Sequence, residues 1–185
     1  YATTSDTFVL VVSPTTTPTA SYVLSGSYVG NGTDDRAITG LGFQPDVVIV
    51  KATDASIGVV RTATMGTDQS KDLTGATAMA ANHIQALDVD GFTVGTDGGV
   101  NAAGVTYHWV AFTAAAGALQ AGTYTGTGAA GRSVTGVGFS PELVVVLAAS
   151  GDEAVFRATS SSETYNFSNS AGMTKRSFDA AVVAS

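Results

Sequence analysis

The chain has 185 residues, of which 12% are charged, a formal net charge of -7 and no cysteine. The negative charge reflects a scarcity of Lys and Arg, so no basic stripe exists to neutralise nucleic-acid phosphates, and disulfides and thiolate metal sites are excluded. No stretch approaches the roughly 20 uninterrupted apolar residues that cross a bilayer, so we expect neither a nucleic-acid partner nor a membrane span.

The composition favours extended backbone. Gly, Ala, Ser, Thr and Val dominate the sequence, and Thr and Val fit the half-buried surface of a pleated sheet. Because 44% of the residues are hydrophobic, the chain has enough apolar surface to offset the entropy of ordering. We therefore expect a folded, all-β protein.

The first element in chain order is an apolar strand near the N-terminus. The residues that we expect in this strand are Thr7, Phe8, Val9, Leu10, Val11 and Val12. A Thr-rich linker with two prolines follows, from Ser13 to Pro18, and such a composition favours an extended conformation. The strand is therefore set apart from the sequence that begins near residue 21.

The next feature is an internal repeat. Residues 26–50 align without a gap to residues 122–146, an offset of 96 positions, and 12 of the 25 aligned pairs are identical. Tyr28 with Tyr124 and Arg36 with Arg132 are among the identical pairs. Self-similarity at a fixed offset is typical of a repeat architecture, so the sequence predicts two copies of one module.

Strand signals run through the first copy. The predicted strands are Ser27–Gly30, Arg36–Thr39, Val47–Val50, Ile84–Val89, Phe92–Val94 and Val105–Phe112. Pro45 cannot donate to a ladder, so a central strand begins after it, and its counterpart in the second copy is Leu143–Leu147. Asp90-Gly91 predicts a tight hairpin turn. The Ala-rich stretch from Thr74 to Asn82 favours a short helix.

These elements divide the chain into three parts. The expected boundaries are 1–20 for the N-terminal strand and linker, 21–116 for the first β module and 117–185 for the second. At the offset of 96, Ser185 corresponds to Val89, so the second copy stops before partners of the hairpin and of the last strand. Either the chain is a window from a longer array, or the strand at Thr7 to Val12 fills the unfinished sheet of the next chain, head to tail.

Four runs of sequence resemble known modules. They are G-x-Y-x-G-N-G at Gly26–Gly32, the run Ile38–Lys51, D-G-F-T-V-G at Asp90–Gly95 and the run Asn101–Phe112. The set resembles modules of phage tail and tail-fibre-like proteins and of bacterial surface proteins, and it covers the first copy and half of the second. The resemblance implies β-sandwiches on virion or cell-surface structures, with no catalytic residues to transfer. We therefore expect tandem antiparallel, jelly-roll-like β-sandwich modules with an N-terminal extension strand.

Candidate binding residues lie near the end of the first copy. Alternation sends Tyr107 and Trp109 to one face of the last strand and His108 to the other. Exposed, the two rings would form a platform for sugars; buried, they belong to the core, which is commoner for Trp. Asp97 and Asn101 flank the Gly-rich loop 95–104 and complete the candidate binding set.

Acidic residues in the same region offer a second interpretation. With Asp97 and Asn101, Asp88 and Asp90 offer oxygen ligands to calcium, but an EF-hand would need further acids and a terminal Glu. A hairpin turn with Asp at its tip explains the pattern better. We therefore predict no metal site.

Several basic residues also stand at positions with a structural interpretation. Lys51 ends an apolar strand, where an isopeptide crosslink is one interpretation and a strand-end lysine the favoured one. Arg36 and Arg61 recur as Arg132 and Arg157, which suggests a buried pair with a carboxylate.

No motif for catalysis is present. The chain has two histidines, no G-x-S-x-G nucleophile and no phosphate-binding loop. We therefore expect no enzyme and no cofactor, and instead a structural subunit of an extracellular filament, fibre or virion appendage, located outside the cell, on its surface or on a virion. Its expected partners are copies of itself or neighbouring repeats. A carbohydrate-binding, adhesive module that takes surface glycans is the alternative.

Overall fold

The structure is a computed structural model that describes residues 6–12, 21–114, 117–129, 131–167, 175–176 and 180–182. Nearly all of its regular structure is β, in several mainly antiparallel sheets. The expectation of an all-β fold is confirmed. Among the described residues, no helix has the length and apolar character needed to cross a membrane.

The chain separates into two compact units. The first-copy unit comprises residues 21–73 and 79–113, and the second-copy unit comprises residues 1–20, 74–78 and 114–185. Apart from the short segment 74–78, the division follows the two copies of the repeat. The N-terminal residues belong to the second-copy unit, although they precede the first copy in the chain.

The N-terminal strand, β1, spans Asp6–Val12, and eight strands and one helical turn follow it through the first copy. They are β2 (Ser21–Val29), β3 (Arg36–Thr39), β4 (Val47–Ala52), β5 (Val59–Thr62), β6 (Lys71–Asp72), β7 (Ile84–Asp88), β8 (Gly91–Val94), α1 (Gly98–Asn101) and β9 (Thr106–Ala114). They form a five-stranded sheet in the order β2-β9-β4-β5-β6 and a three-stranded sheet in the order β3-β8-β7.

Residues from both sheets enclose one hydrophobic core. The five-stranded sheet contributes Val48 and Val50, and the three-stranded sheet contributes Ile84, Phe92 and Val94, all fully buried. Two sheets that bury their inner faces against each other form a sandwich-like unit. The near-continuous apolar run of β4 is explained by this central position.

The hairpin β7-β8 is locked to the glycine-rich segment before β4. Val89 and Asp90 form its two-residue turn, since Asp88 pairs with Gly91. The Asp90 carboxylate accepts hydrogen bonds from the backbone N–H groups of Gly40 (3.1 Å) and Gly42 (2.5 Å). The predicted hairpin is confirmed, with its turn one residue earlier than Asp90-Gly91.

The predicted helix from Thr74 to Asn82 is wrong. The segment consists of bends with one isolated bridge between Ser70 and Ala80. High alanine content supplies helix propensity but no amphipathic face to bury, and tertiary context decides such segments. Asn82 even has a positive φ of 64°, which lies outside the right-handed helical region.

The second copy repeats the strand order of the first. Its strands are β10 (Leu119–Thr125), β11 (Arg132–Val134), β12 (Leu143–Ala148), β13 (Val155–Ala158), β14 (Thr164–Asn166), β15 (Lys175–Arg176) and β16 (Ala180–Val182). At the offset of 96 residues, β10, β11, β12 and β13 overlap the positions of β2, β3, β4 and β5. The sequence repeat is therefore a repeat of strands as well.

The described core of the second-copy unit consists of repeat counterparts of first-copy core residues. Its buried residues are Val137, Val144 and Val146, and Tyr124, Phe139 and Val155 pack against them. At an offset of 96 they correspond to Leu41, Val48, Val50, Tyr28, Phe43 and Val59, all of which belong to the first core. The two copies therefore use the same positions to build their cores.

Strand β1 takes the same place in the second copy that β9 takes in the first. The second sheet has the order β10-β1-β12-β13-β14-β15, so β1 lies between the counterparts of β2 and β4. Thr7 pairs with Ala148 and Val12 with Leu143. The first copy shows the same register, since Tyr107 pairs with Ala52 and Phe112 with Val47. Each β1 residue thus stands 100 positions before its β9 equivalent.

Strand β16 also shows how the second copy is arranged. It corresponds to β7 at the repeat offset and pairs in parallel with β11 from Arg132 with Ala180 to Val134 with Val182. In the first copy β8 lies between β3 and β7 and is antiparallel to both, so β7 runs parallel to β3. The β7 counterpart therefore keeps its direction and pairs directly with the β3 counterpart.

We predict that Val9→Pro unfolds the β10 and β12 edges of the second copy and spares the first copy. Proline removes a backbone N–H from a strand that is paired on both sides. Amide hydrogen exchange should show lost protection in Leu119–Thr125 and Leu143–Ala148. Trp109 is the single tryptophan and lies in the first copy. The unfolding transition followed by its fluorescence should therefore stay unchanged.

The matched control is Thr16→Pro, which adds proline to a linker that already contains two. Protection in β12 that survives Val9→Pro would contradict the pairing of β1 in this sheet.

Candidate functional site

The aromatic residues proposed for sugar binding lie in the core. Tyr107 is fully buried and Trp109 is 9% exposed, whereas His108 is exposed. Tyr107 stacks on Tyr28 with ring centroids 5.3 Å apart, and Trp109 meets Phe92 edge-on at 5.7 Å. The predicted alternation is confirmed, and the hypothesis of an exposed aromatic platform at these two rings is wrong.

Both tyrosine hydroxyls hold the loop around α1. The hydroxyl of Tyr28 donates to the carbonyl of Val100 (2.7 Å), and that of Tyr107 donates to the carbonyl of Gly98 (2.6 Å). The Tyr107 oxygen also accepts from the N–H of Ala102 (2.8 Å). Burial raises the pKa of both phenols above the ordinary value of 10.0, because the charged form would be desolvated. Both side chains are therefore neutral hydrogen-bond donors at neutral pH.

Asn101 joins three segments of the first-copy unit. It is fully buried. Its Oδ1 accepts from the N–H of Asn31 (3.0 Å) and from Nη1 of Arg36 (3.2 Å). Its Nδ2 donates to the carbonyls of Thr33 (2.7 Å) and Gly95 (2.9 Å). Because all four bonds that an amide side chain commonly makes are satisfied within the protein, Asn101 holds the loop in place.

Asp97 and His83 form a side-chain contact that the sequence did not indicate. Nε2 of His83 lies 3.0 Å from Oδ1 of Asp97, and the same carboxylate oxygen accepts from the N–H of Gly99 (2.7 Å) to cap α1. His83 is 8% exposed and its Nδ1 has no partner among the described residues. Since the two residues are 14 positions apart in a loop region, no periodicity brings them together. Their contact orders the start of the Gly-rich loop.

Arg36 and its repeat counterpart Arg132 each lie over a tyrosine ring. The Arg36 guanidinium lies 5.1 Å from the centre of the Tyr28 ring, and Arg132 lies 5.6 Å from that of Tyr124. This cation–π pair is thus a shared feature of both copies, worth roughly 0.5–1 kcal/mol at exposed sites. Among the described residues neither Arg36 nor Arg61 forms a salt bridge, so the interpretation of a buried pair with a carboxylate is wrong for these two arginines.

Arg61 is a buried cation of the first copy. It is 7% exposed, and its Nη1 donates to the backbone carbonyls of Gln69 and Ile84. Desolvation lowers the pKa of this guanidinium, and the negative charges of Asp68 and Asp88 oppose the shift. Backbone carbonyls therefore replace the expected carboxylate.

Each acidic residue of the calcium interpretation has its own structural contact. Asp88 accepts from the hydroxyl of Thr93 (2.8 Å), Asp90 binds the glycine-rich segment before β4, and Asp97 caps α1. No group of three or more His, Cys, Asp or Glu residues within the described ranges could hold a metal. The hairpin-tip interpretation agrees with the role of Asp90.

Lys51 is exposed. Its Nζ donates to the carbonyls of Ala52 (2.6 Å) and Asp54 (2.9 Å). These contacts agree with the interpretation of a strand-end lysine that turns its ammonium group towards loop carbonyls.

A polar cleft of about 460 Å³ lies at the other end of β4. The residues that line it are Gln44, Pro45, Asp46, Arg61, Ala63, Leu87 and Thr113. Asp46 accepts from the hydroxyl of Thr113 (2.8 Å), and Gln44 donates to the carbonyl of Leu87 (2.9 Å). The sequence did not indicate this cleft, because its residues come from four separate segments.

We predict that Asn101→Leu destabilises the first-copy unit by about 3 kcal/mol or more. The apolar side chain has a similar volume but removes one buried and three partly buried hydrogen bonds, and an unsatisfied buried group costs about 1–3 kcal/mol. Urea unfolding followed by Trp109 fluorescence measures the loss.

The matched control is Asn31→Ala in the same loop. Asn31 is exposed and its Oδ1 accepts only from Thr33, so the cost should stay within about 1 kcal/mol. Equal effects of the two substitutions would refute the structural role of Asn101.

Comparison with known proteins yields a family without a known activity. No curated protein and no solved structure matches this chain. A family model described as a domain of unknown function matches residues 18–121, which is 104 of the 185 residues and contains the first copy. The chain therefore belongs to the DUF7483 family, a domain of unknown function.

Proposed function

We propose that the protein is a structural module of an extracellular filament, fibre or virion appendage. It is built from two tandem copies of one antiparallel, jelly-roll-like β-sandwich. Its work is to carry load or display surface, and it performs no catalysis. Its partners are copies of itself or neighbouring repeats.

The observation that carries this proposal is the strand that completes the second sheet. Strand β1 precedes the first copy in the chain but pairs with β10 and β12 of the second copy. Its register is that of β9 in the first copy. A module that is closed by a strand from outside its own stretch of sequence is a unit of assembly, because closure ties separate parts of a chain or different chains together.

The use of polar side chains supports the same proposal. Asn101 and Tyr107 bond to the loop around α1, and Asp97 bonds to His83 and to the α1 backbone. These residues were the sequence's candidates for ligand contact. Because the hydrogen-bonding groups of Asn101 and Tyr107 are satisfied within the fold, these two residues favour a rigid scaffold over a ligand site.

The resemblance to phage tail and bacterial surface modules supports the extracellular location. A cysteine-free chain that folds without disulfides holds together in either redox state.

A direct test of the proposed location uses antibodies against this chain in immunogold electron microscopy of the source cells and their phages. We expect label along surface fibres or virion appendages. Pre-immune serum is the control. Label confined to the cell interior would overturn the proposed function.

The polar cleft supports a second candidate function, an adhesive module that binds surface glycans. Gln44, Asp46 and Arg61 offer planar hydrogen-bonding groups of the kind that bind sugar hydroxyls. No aromatic ring lines this cleft, and a stacking ring would supply much of the apolar contact with a sugar. The structural function is therefore favoured.

A glycan array separates the two candidates. The structural function predicts no saturable binding by the full chain. Saturable binding that is lost on Gln44→Ala and retained on Gln85→Ala, which lies outside the cleft, would establish the adhesive function instead.

A further inference from the structure

We infer that the groove between β10 and β12 is a binding site for β1 of a second copy of this chain, so that molecules exchange this strand and join head to tail. The inference rests on the proposed structural function and names its partner. Within the described chain, the groove is filled by the molecule's own β1.

The groove binds a strand through two rows of backbone groups. Strand β1 runs antiparallel to both neighbours, from Asp6 with Thr125 to Val12 with Leu119 on one side and from Thr7 with Ala148 to Val12 with Leu143 on the other. Without this strand, both edges would present unpaired N–H and C=O groups. Any extended segment of suitable pattern can satisfy them, since main-chain bonds supply the affinity of strand addition.

Glycine stands at the same position beside the closing strand in both copies. Gly122 in β10 lies opposite Val9 of β1. Its counterpart Gly26 in β2 lies under the indole of Trp109, where an added Cβ would be 2.6 Å from Cζ2. Trp109 and Val9 stand at equivalent positions of their strands. An added Cβ at Gly122 would meet no atom within 4 Å, so the two copies share the glycine position and the register of the closing strand, but not the close approach.

The strand contacts are the same whether β1 comes from its own chain or from another. In both cases the same residues of β1 meet the same residues of β10 and β12. The balance then depends on the linker at 13–20, which sets the effective concentration of the chain's own strand. A linker too short or too stiff to lead β1 back to the groove of its own chain lowers this concentration and so favours exchange between molecules.

The exchange would produce a chain of molecules. The donated strand and the groove that receives it are different parts of the molecule, so the contact is heterologous. Such a contact gives an open filament unless the rotation between subunits closes a ring. The inferred contact therefore supplies the means of assembly that the proposed function requires.

Cysteine pairs test the exchange in the full-length protein, because the chain has no cysteine of its own. Phe8→Cys with Thr123→Cys places the two thiols on directly paired residues, and Thr123 is exposed. The matched control is Phe8→Cys with Gln120→Cys, since Gln120 is exposed but pairs with Val11, three residues away. Cα atoms more than about 7 Å apart cannot form a disulfide without backbone movement.

Each pair is studied with three linkers: the natural one, one that lacks residues 15–18, and one lengthened by a Gly/Ser segment. Non-reducing gels after refolding separate crosslinks within a chain from crosslinks between chains, and light scattering gives the mass under native conditions. We expect crosslinks from the registered pair. The shortened linker should raise the fraction between chains roughly tenfold over the lengthened one, because it lowers the effective concentration of the chain's own strand.

Three other results would overturn the inference. Crosslinks that stay within single chains for every linker would show that β1 does not exchange, while the proposed structural function would stand. A registered pair that crosslinks no better than its control would show that β1 does not occupy the groove. Oligomers without crosslinks between chains would show that another surface joins the molecules. The proposed function itself is tested separately. Immunogold label confined to the cell interior, or saturable glycan binding, would contradict it.

Discussion

A gap between two strands of a sheet exposes two rows of unpaired backbone groups, and the need to fill that gap governs both copies of this module. In the first copy β9 fills it and also brings Tyr107 and Trp109 into the core. In the second copy β1 fills it at the same register. Because an unpaired backbone group in a buried setting costs free energy comparable to a lost hydrogen bond, neither sheet is stable with the gap open.

The two copies share a framework but are closed by strands of different sequence. Six core positions recur at the offset of 96 residues, and the Arg36–Tyr28 contact recurs as Arg132–Tyr124. The closing strands instead read T-F-V-L-V-V and Y-H-W-V-A-F over equivalent positions. Strand pairing through the backbone tolerates such differences, since the ladder bonds do not depend on side-chain identity. A repeated framework can therefore accept a closing strand from elsewhere in the chain.

The sequence predicted most strands but not the contacts around the candidate site. The apolar run after Pro45 located β4 because this signal is local, and the repeat then located β12 as its counterpart. The helix from Thr74 to Asn82 was wrong, since propensity alone does not supply a buried face. Asn101 bonds to Asn31, which lies 70 positions earlier in the sequence. No local pattern reveals such a contact, and an asparagine in a Gly-rich loop fits a binding role equally well.

The central position of β1 in its sheet also determines at which stage this strand could pair with another molecule. A central strand cannot leave the sheet unless both of its ladders, to β10 and to β12, break together. Breaking both is nearly equivalent to unfolding the second-copy unit, so exchange in the folded state is slow and the arrangement is maintained kinetically. In the exchange that we infer, the choice between closure within one chain and closure between chains would therefore be made during folding. At that stage the linker and the protein concentration determine which β1 reaches the open groove first.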